Sequence, residues 1–143
     1  MKKYNPYPKR DAMINYFSLP NEMFDLDLSA GEIAVYAYLL RCENRETFQC
    51  YPSYSNIGEA VNISANTVKK YVRGLCEKCL IETEPTTVCT KAGIKRNGNL
   101  RYTIRPIEEA IRYNFEAQVR RNEKMMQEQR MAEKVKKLFA KAQ

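Results

Sequence analysis

The chain has 143 residues, 44% of them hydrophobic and 29% charged, with 24 Lys and Arg against 17 Asp and Glu and no histidine. That length and an ordinary soluble composition suffice for one compact domain plus an appendage. No Gly-rich phosphate loop, no paired carboxylates in an apolar setting and no activated Ser or Cys motif accompanies the missing histidine, so no enzyme, no catalytic residue and no cofactor is expected.

The net charge of +7 is unevenly placed: 0 over residues 1–28, −2 over 29–63, +6 over 64–105 and +3 over 106–143. The excess begins with the predicted helix at residue 64 and continues through the segment after it, the footprint expected for a polyanion partner. Five cysteines form no obvious disulfide framework. Cys76-x-x-Cys79 invites a zinc or redox reading, but no second Cys pair accompanies it and it closes a predicted helix, where the dipole disfavours a thiolate. Buried small hydrophobes are the expectation, with no metal site.

In chain order, residues 1–15 carry Pro6, Pro8 and mixed charge without a period and are expected to form a flexible N-terminal arm. The basic opening is followed by no continuous apolar run, and no segment approaches membrane-spanning length. We therefore expect no signal peptide, no membrane partner and a cytoplasmic protein. Met13 to Leu19 is a short apolar run ended by Pro20, an expected edge strand or lid. Asn21 to Leu28 is expected to make a helical turn placing Met23, Phe24 and Leu28 inward.

Ser29-Ala-Gly-Glu32 has the capping-box pattern and opens a helix through about Cys42, with Ile33, Tyr36, Ala37 and Leu40 as its inward stripe, supported by Val35 and Leu39. Glu43 to Gln49 reads as a polar loop leading into Cys50 and Tyr51. The stretch Tyr51 to Ile81 then has the spacing of two helices around a tight turn. Ser53 caps the first helix, which buries Ile57, Ala60 and Val61 and leaves room for a close crossing at Gly58. Asn62 tolerates a left-handed backbone, Ile63 plugs the gap and Ser64 caps the second helix.

In that second helix, about residues 64–79, Ala65, Val68, Val72, Leu75 and Cys79 recur at alternating spacings of three and four and form one apolar stripe. Asn66, Lys69, Lys70 and Arg73 fall on the opposite side. Such a helix fits the DNA major groove, where Asn pairs with adenine, Arg with guanine, and Lys with guanine or phosphate. An ordinary solvated helix face has the same composition, and the neighbouring segments of the chain favour the groove.

Leu80 to Cys89 alternates like a strand interrupted by Pro85, and Leu100 to Arg105 alternates Leu100, Tyr102 and Ile104 against Arg101, Thr103 and Arg105. The Gly-containing basic loop between them, about 90–101, makes the pair a wing. After Pro106, residues 107–142 contain no Gly or Pro and are predicted as one long helix. It carries one stripe of Ile107, Ile111, Phe115 and Val119 and a second of Met131, Val135, Leu138 and Ala142. The first is expected to pack on the domain or on a second copy, the second to pair with another copy or to fray; a long coiled coil is weakened by Gln118, Asn122 and Gln129.

The segments LSAGEIAVYAYLLRCEN, CYPSYSNIGEAVNISANTVKKYVRGL and CLIETEP, taken together, resemble the winged helix-turn-helix domains of bacterial mobile-element, phage and plasmid replication proteins. The shared pattern is a leucine-rich first helix, a Tyr-Pro-Ser start, Ile-Gly, a Ser-x-x-Thr-Val-Lys recognition helix and a Leu-Ile strand. Two departures are Asn62 and Cys79, each where the pattern often has Gly; Cys79 is strained if its backbone is left-handed. The resemblance implies a mainly α fold with a small β-hairpin, a winged helix-turn-helix over 16–105 followed by a C-terminal helix over 106–143. It implies a role in transcription control or in replication initiation on a mobile element.

The expected partner is double-stranded DNA. Candidate base contacts are Asn66, Thr67, Lys70 and Arg73; candidate backbone contacts are Ser53, Ser64, Lys69, Lys91, Lys95, Arg96 and Arg101. A homodimer through the C-terminal helix is a further expectation. The competing class is a protein-interaction module in which the winged domain is a scaffold and the long helix binds through Ile111, Phe115 or Leu138.

Overall fold

The computed structural model describes residues 15–142, and its elements are three short helices, a small antiparallel sheet, a second hairpin and one long helix. The fold is mainly α and is a winged helix-turn-helix with a long C-terminal helix. Residues 1–14, which hold all of the expected N-terminal arm except Asn15 and also Met13 and Ile14 of the first apolar run, lie outside the described residues. The rest of that run, Asn15 to Leu19, is irregular and exposed, forming neither strand nor lid.

A 3₁₀ turn, Asn21–Asp25, follows Pro20. At three residues per turn it brings Met23 and Leu26 onto one side, and both are buried. Phe24, expected to point inward, is 71% exposed instead.

Helix α1, Ala30–Cys42, starts on the expected capping box: the Glu32 amide donates to Ser29 Oγ at 3.2 Å and the Ser29 amide to Glu32 Oε1 at 3.1 Å. Its phase differs from expectation. Val35, Tyr36 and Leu39 are enclosed, while Ile33, Ala37 and Leu40 flank them half-buried. Ile33 to Leu40 is apolar or aromatic all round, so the pattern alone does not choose the inward face.

The next segment contains strand β1, Gln49–Cys50, where a loop was expected. Its pairing is long-range, Gln49 with Thr103 and Cys50 with Tyr102, and leaves no local pattern to read. Helix α2, Tyr54–Val61, is capped by Ser53 Oγ, which accepts from the Asn56 amide at 3.0 Å. It buries Ile57 and Gly58; Val61 is half-buried and Ala60, expected inward, is exposed. Asn62 ends α2 in the left-handed region at φ 60° and ψ 47°. A Cβ on Gly58 would sit 2.5 Å from the Ile63 carbonyl oxygen, so the close approach at Gly58 comes from the turn itself.

Helix α3, Ala65–Glu77, has its cap at Ser64 and buries Val68, Val72 and Leu75. Ala65, the expected start of that stripe, is exposed. Beyond the helix, Cys79 has φ +62°, the left-handed conformation that strains a side chain bearing a Cβ. Relief of about 1–2 kcal/mol of backbone strain, less the entropy an added glycine costs, makes Cys79→Gly stabilising by about 0.5–1 kcal/mol. Urea melts of the two proteins check this.

Strands β2, Ile81–Glu84, and β5, Arg101–Ile104, pair antiparallel with Ile81 opposite Ile104 and Glu84 opposite Arg101. The sheet order is β1-β5-β2. The long strand expected over 80–89 breaks at Pro85 and Thr86, and its second part, β3 (Thr87–Cys89), pairs instead with β4 (Lys95–Asn97). Three residues of the expected wing loop, Lys95–Asn97, are thus a strand, and the turn proper is Thr90 to Ile94.

Helix α4, Ile107–Lys141, is one uninterrupted element, as predicted. It rests on the 3₁₀ turn through Asn114, whose Nδ2 donates to the Asp25 carbonyl at 3.2 Å, and through Arg121 beside Asp27 at 3.8 Å. Ala110 is its buried residue, and Ile111, Phe115 and Val119 remain exposed. The expected packing of that stripe on the domain is therefore made only in part: Ile107 packs half-buried on the core, and the three stripe residues after it stay open to solvent. The core joins Met23, Leu26, Val35, Tyr36, Leu39, Ile57, Val68, Leu75, Leu80 and Tyr102, so the helix-turn-helix rests on α1 on one side and on the sheet on the other.

Candidate nucleic-acid interface

The sequence folds α3 so that one face is committed to the core and the other is left to solvent. With Val68, Val72 and Leu75 inward, Asn66, Lys69, Lys70 and Arg73 project outward and are exposed. Thr67 lies on the flank, half-buried, and its Oγ1 is 2.8 Å from Ser64 Oγ, which also accepts from the Thr67 amide. Both hydroxyls are therefore engaged at the helix start.

The wing carries Lys91 in its turn and Lys95 and Arg96 in β4, all exposed. Arg101 differs from them. It sits in β5 and forms an ion pair with Glu84 across the strand pair, so a backbone-contact role would have to share it with that carboxylate.

The base of the wing is pinned. The Gly98 amide donates to the Thr86 carbonyl at 2.8 Å, Thr86 Oγ1 donates to the Asn99 carbonyl, and Asn99 Nδ2 donates to the Tyr51 carbonyl at 3.1 Å. A Cβ on Gly98 would lie 2.6 Å from Thr86 Oγ1, so a side chain here would have to displace Thr86. Pro52, Ser53 and Tyr54 share a cleft of about 160 Å³ with Gly98, Asn99 and Leu100, which brings the start of α2 against the wing base.

Tyr54 links this corner to α3. Burial raises its pKa, the neighbouring Cys76 raises it further, and the Arg73 guanidinium opposes both, so Arg73 and the phenol share one electrostatic neighbourhood. Tyr54 thus shares the cleft with Ser53 and the wing base and lies within the field of the Arg73 charge on α3. Tyr51 and Asn99 were missed by sequence reasoning. Asn99 carried only a turn-former signal in the run Asn97-Gly98-Asn99.

The opposite flank of α3 meets the start of α1. Ser29, Glu32, Lys70, Tyr71, Arg73, Gly74, Glu77 and Lys78 line a cleft of about 490 Å³. Within it Lys78 Nζ is 3.0 Å from Glu32 Oε1. Burial pushes the Glu32 pKa up, but the Lys78 and Ser29 hydrogen bonds and the Lys78 charge outweigh it and hold the carboxyl below its ordinary 4.5. A carboxylate lowered in the folded state stabilises above its unfolded pKa, and that stabilisation is lost as pH falls through the folded value. Glu32→Gln should therefore be less stable than wild type at pH 7, and the gap should narrow as pH falls through the folded carboxyl's titration, as paired denaturant melts across a pH series would register.

The cysteines do not share one fate. Cys50 is buried, with its thiol pushed up to about 12 by burial and, less strongly, by Cys42 and Glu43. Cys76 and Cys79 are half-buried, whereas Cys42 and Cys89 are exposed, contrary to expectation. Among the described residues no group of three or more His, Cys, Asp or Glu is placed to hold a metal ion. No described helix is long and apolar enough to cross a membrane.

A family of helix-turn-helix domains matches residues 26–81, the span from Leu26 through α1, α2 and α3 to the first residue of β2. Comparison with curated proteins finds no match. Among solved structures, a protein of Methanosarcina mazei Go1 described as a possible transcriptional regulator is 17% identical, with 72% of this chain and 80% of that chain covered and a TM-score of 0.47. S. aureus MepR, in a complex with DNA, is 17% identical, with 85% and 86% covered and a TM-score of 0.38.

Proposed function

We propose that this chain binds double-stranded DNA, with α3 in the major groove and the β3–β4 wing along the neighbouring backbone or minor groove. The observation that carries the reading is the state of the cations. Among the described residues, carboxylates engage Lys78, Arg101, Arg105 and Arg121. No described carboxylate lies within 4.0 Å of Lys69, Lys70, Arg73, Lys91, Lys95 or Arg96. Unpaired cations also stand at Arg41, Arg45 and along α4; what favours these six is that three share the exposed polar face of α3, as a groove-binding helix requires, and three share one hairpin, an arrangement that attracts a polyanion.

In this reading Asn66, Lys70 and Arg73 read base edges. Lys69, Lys91, Lys95, Arg96 and the Ser53 and Ser64 hydroxyls hold phosphates, with Arg101 contributing through its shared partner and Thr67 acting mainly from the flank. The proposed units are a DNA-binding domain over 16–105 and a C-terminal helix over 106–143, in a cytoplasmic protein. The proposed role is transcriptional regulation or replication initiation on a mobile element. Selection from a random duplex pool at two salt concentrations tests the binding: an enriched motif whose affinity falls with salt is expected, and no retention of any duplex at low salt would overturn it.

A second reading draws on α4. Ile111, Phe115 and Val119 stay exposed, a surface that fits a protein partner. At about 100° per residue, Met131, Val135 and Leu138 lie on nearly the opposite side of a straight helix, so one partner helix does not cover both stripes. We assign the first stripe to a second copy. Sedimentation should give a dimer for the full chain and a monomer for Phe115→Glu; equal monomer masses for both would refute the assignment.

A further inference from the structure

Glu32 is the buried charged residue among those described, at 7% exposed, and its burial exceeds what capping α1 requires. A capping box works at the surface, where both partners stay hydrated. Here the carboxylate is carried under α3. Its Oε1 accepts from the Ser29 amide at 3.1 Å and from Lys78 Nζ at 3.0 Å, and the same Nζ donates to the Asp27 carbonyl at 2.9 Å. Its Oε2 has no hydrogen-bond partner and faces Gly74, where a Cβ would come within 2.7 Å.

One turn along, a Cβ on Gly31 would sit 2.1 Å from the Tyr71 ring. The first turn of α1 is thus fastened to the second half of α3 at three places: Gly31 on Tyr71, Glu32 on Gly74 and Glu32 on Lys78. A charged group buried at this cost needs a return, and the contact is made to the outward-reading helix and to the residue that ends it. Base readout depends on holding side chains to within about 0.5 Å and 10–20° of the bonding geometry, which the residues behind them must supply.

We propose that Glu32, acting through Lys78 and Gly74, is a positioning residue for sequence readout. It sets the pitch of α3 on the domain, and Lys78, though basic and next to the recognition helix, is its fastener and not a phosphate contact. The proposal rests on the DNA-binding reading above.

The test measures, by fluorescence anisotropy from 50 to 200 mM salt, binding to the duplex recovered by selection and to a scrambled duplex of equal composition. Wild type, Lys78→Met and Gly74→Ala are compared at a temperature where circular dichroism shows each folded. Lys78→Met should lose about tenfold affinity for the selected duplex, keep its affinity for the scrambled one within about twofold, and keep the slope of log K against log salt. Gly74→Ala, which changes no charge, should lose the same discrimination.

An equal loss on both duplexes with a slope shallower by about 0.9 would make Lys78 a phosphate contact and overturn the proposal. Full discrimination in whichever variants fold would overturn it too, leaving the clasp a matter of stability alone. If one variant does not fold, the other decides. Failure of wild type itself to bind any duplex marks failure of the underlying DNA-binding reading.

Discussion

Replacing Lys91, Lys95 and Arg96 together with alanine should make the salt dependence of duplex binding shallower by about 2.7 in the slope of log K against log salt. Each phosphate neutralised releases counterions worth a slope of about 0.9 on duplex DNA, and the three side chains are exposed on one hairpin without a described carboxylate at hand. Between 50 and 200 mM salt the gap between wild type and triple variant should therefore narrow by about 40-fold. Sequence preference should survive, because backbone contacts fix register and carry no base information. Folding stability should change by no more than about 0.5 kcal/mol, since none of the three touches the core. Filter binding over a salt series and a denaturant melt separate these effects. An unchanged slope would remove the wing from the interface.

Leu75→Ala should destabilise the domain by about 3 kcal/mol and lower the melting temperature by about 10 °C. Leu75 is fully enclosed in α3, in the same core as Leu39, Leu80 and Tyr102, where the helix-turn-helix meets both α1 and the sheet. Truncation removes buried apolar surface and leaves a hole that the surrounding elements, fixed by caps and strand pairing, fill only in part. Phe115→Ala is the control. It deletes a larger side chain, but one that is 65% exposed, so at concentrations where the chain is monomeric it should cost less than about 0.5 kcal/mol. Calorimetry on the two variants checks both, and a similar cost for Phe115→Ala would place α4 in the folding core.

What could be read from the sequence was what is decided locally. Ser29, Ser53 and Ser64 announce helix starts because a hydroxyl and a free backbone amide lie three residues apart. Asn62 marks the turn because few residues tolerate its backbone angles, and the absence of Gly and Pro after Pro106 marks α4. The outward face of α3 followed from the period of Val68, Val72 and Leu75.

Most of the misses share one cause, which is dependence on partners distant in sequence; Phe24, set by a local turn, is the exception. β1 exists only because Tyr102 and Thr103 lie beside it. The inward face of α1 is chosen by what packs on an apolar cylinder. Phe24 turns outward because the 3₁₀ geometry gives Met23 and Leu26 the inward positions. Arg101 looked like Lys95 and Arg96 until Glu84 was placed opposite it. Glu32 was visible as a cap, but its second partner lies 46 residues away.

The central claim, that the outer face of α3 and the wing together form a duplex-DNA surface, is tested most directly by titrating the isotope-labelled chain with a selected duplex and following backbone amide shifts by NMR. Salt-sensitive changes should cluster at Ser53, Asn66 to Arg73 and Lys91 to Arg96, with α4 beyond Gln118 unmoved. Changes confined to α4 around Ile111 and Phe115, or none at any DNA concentration, would contradict it.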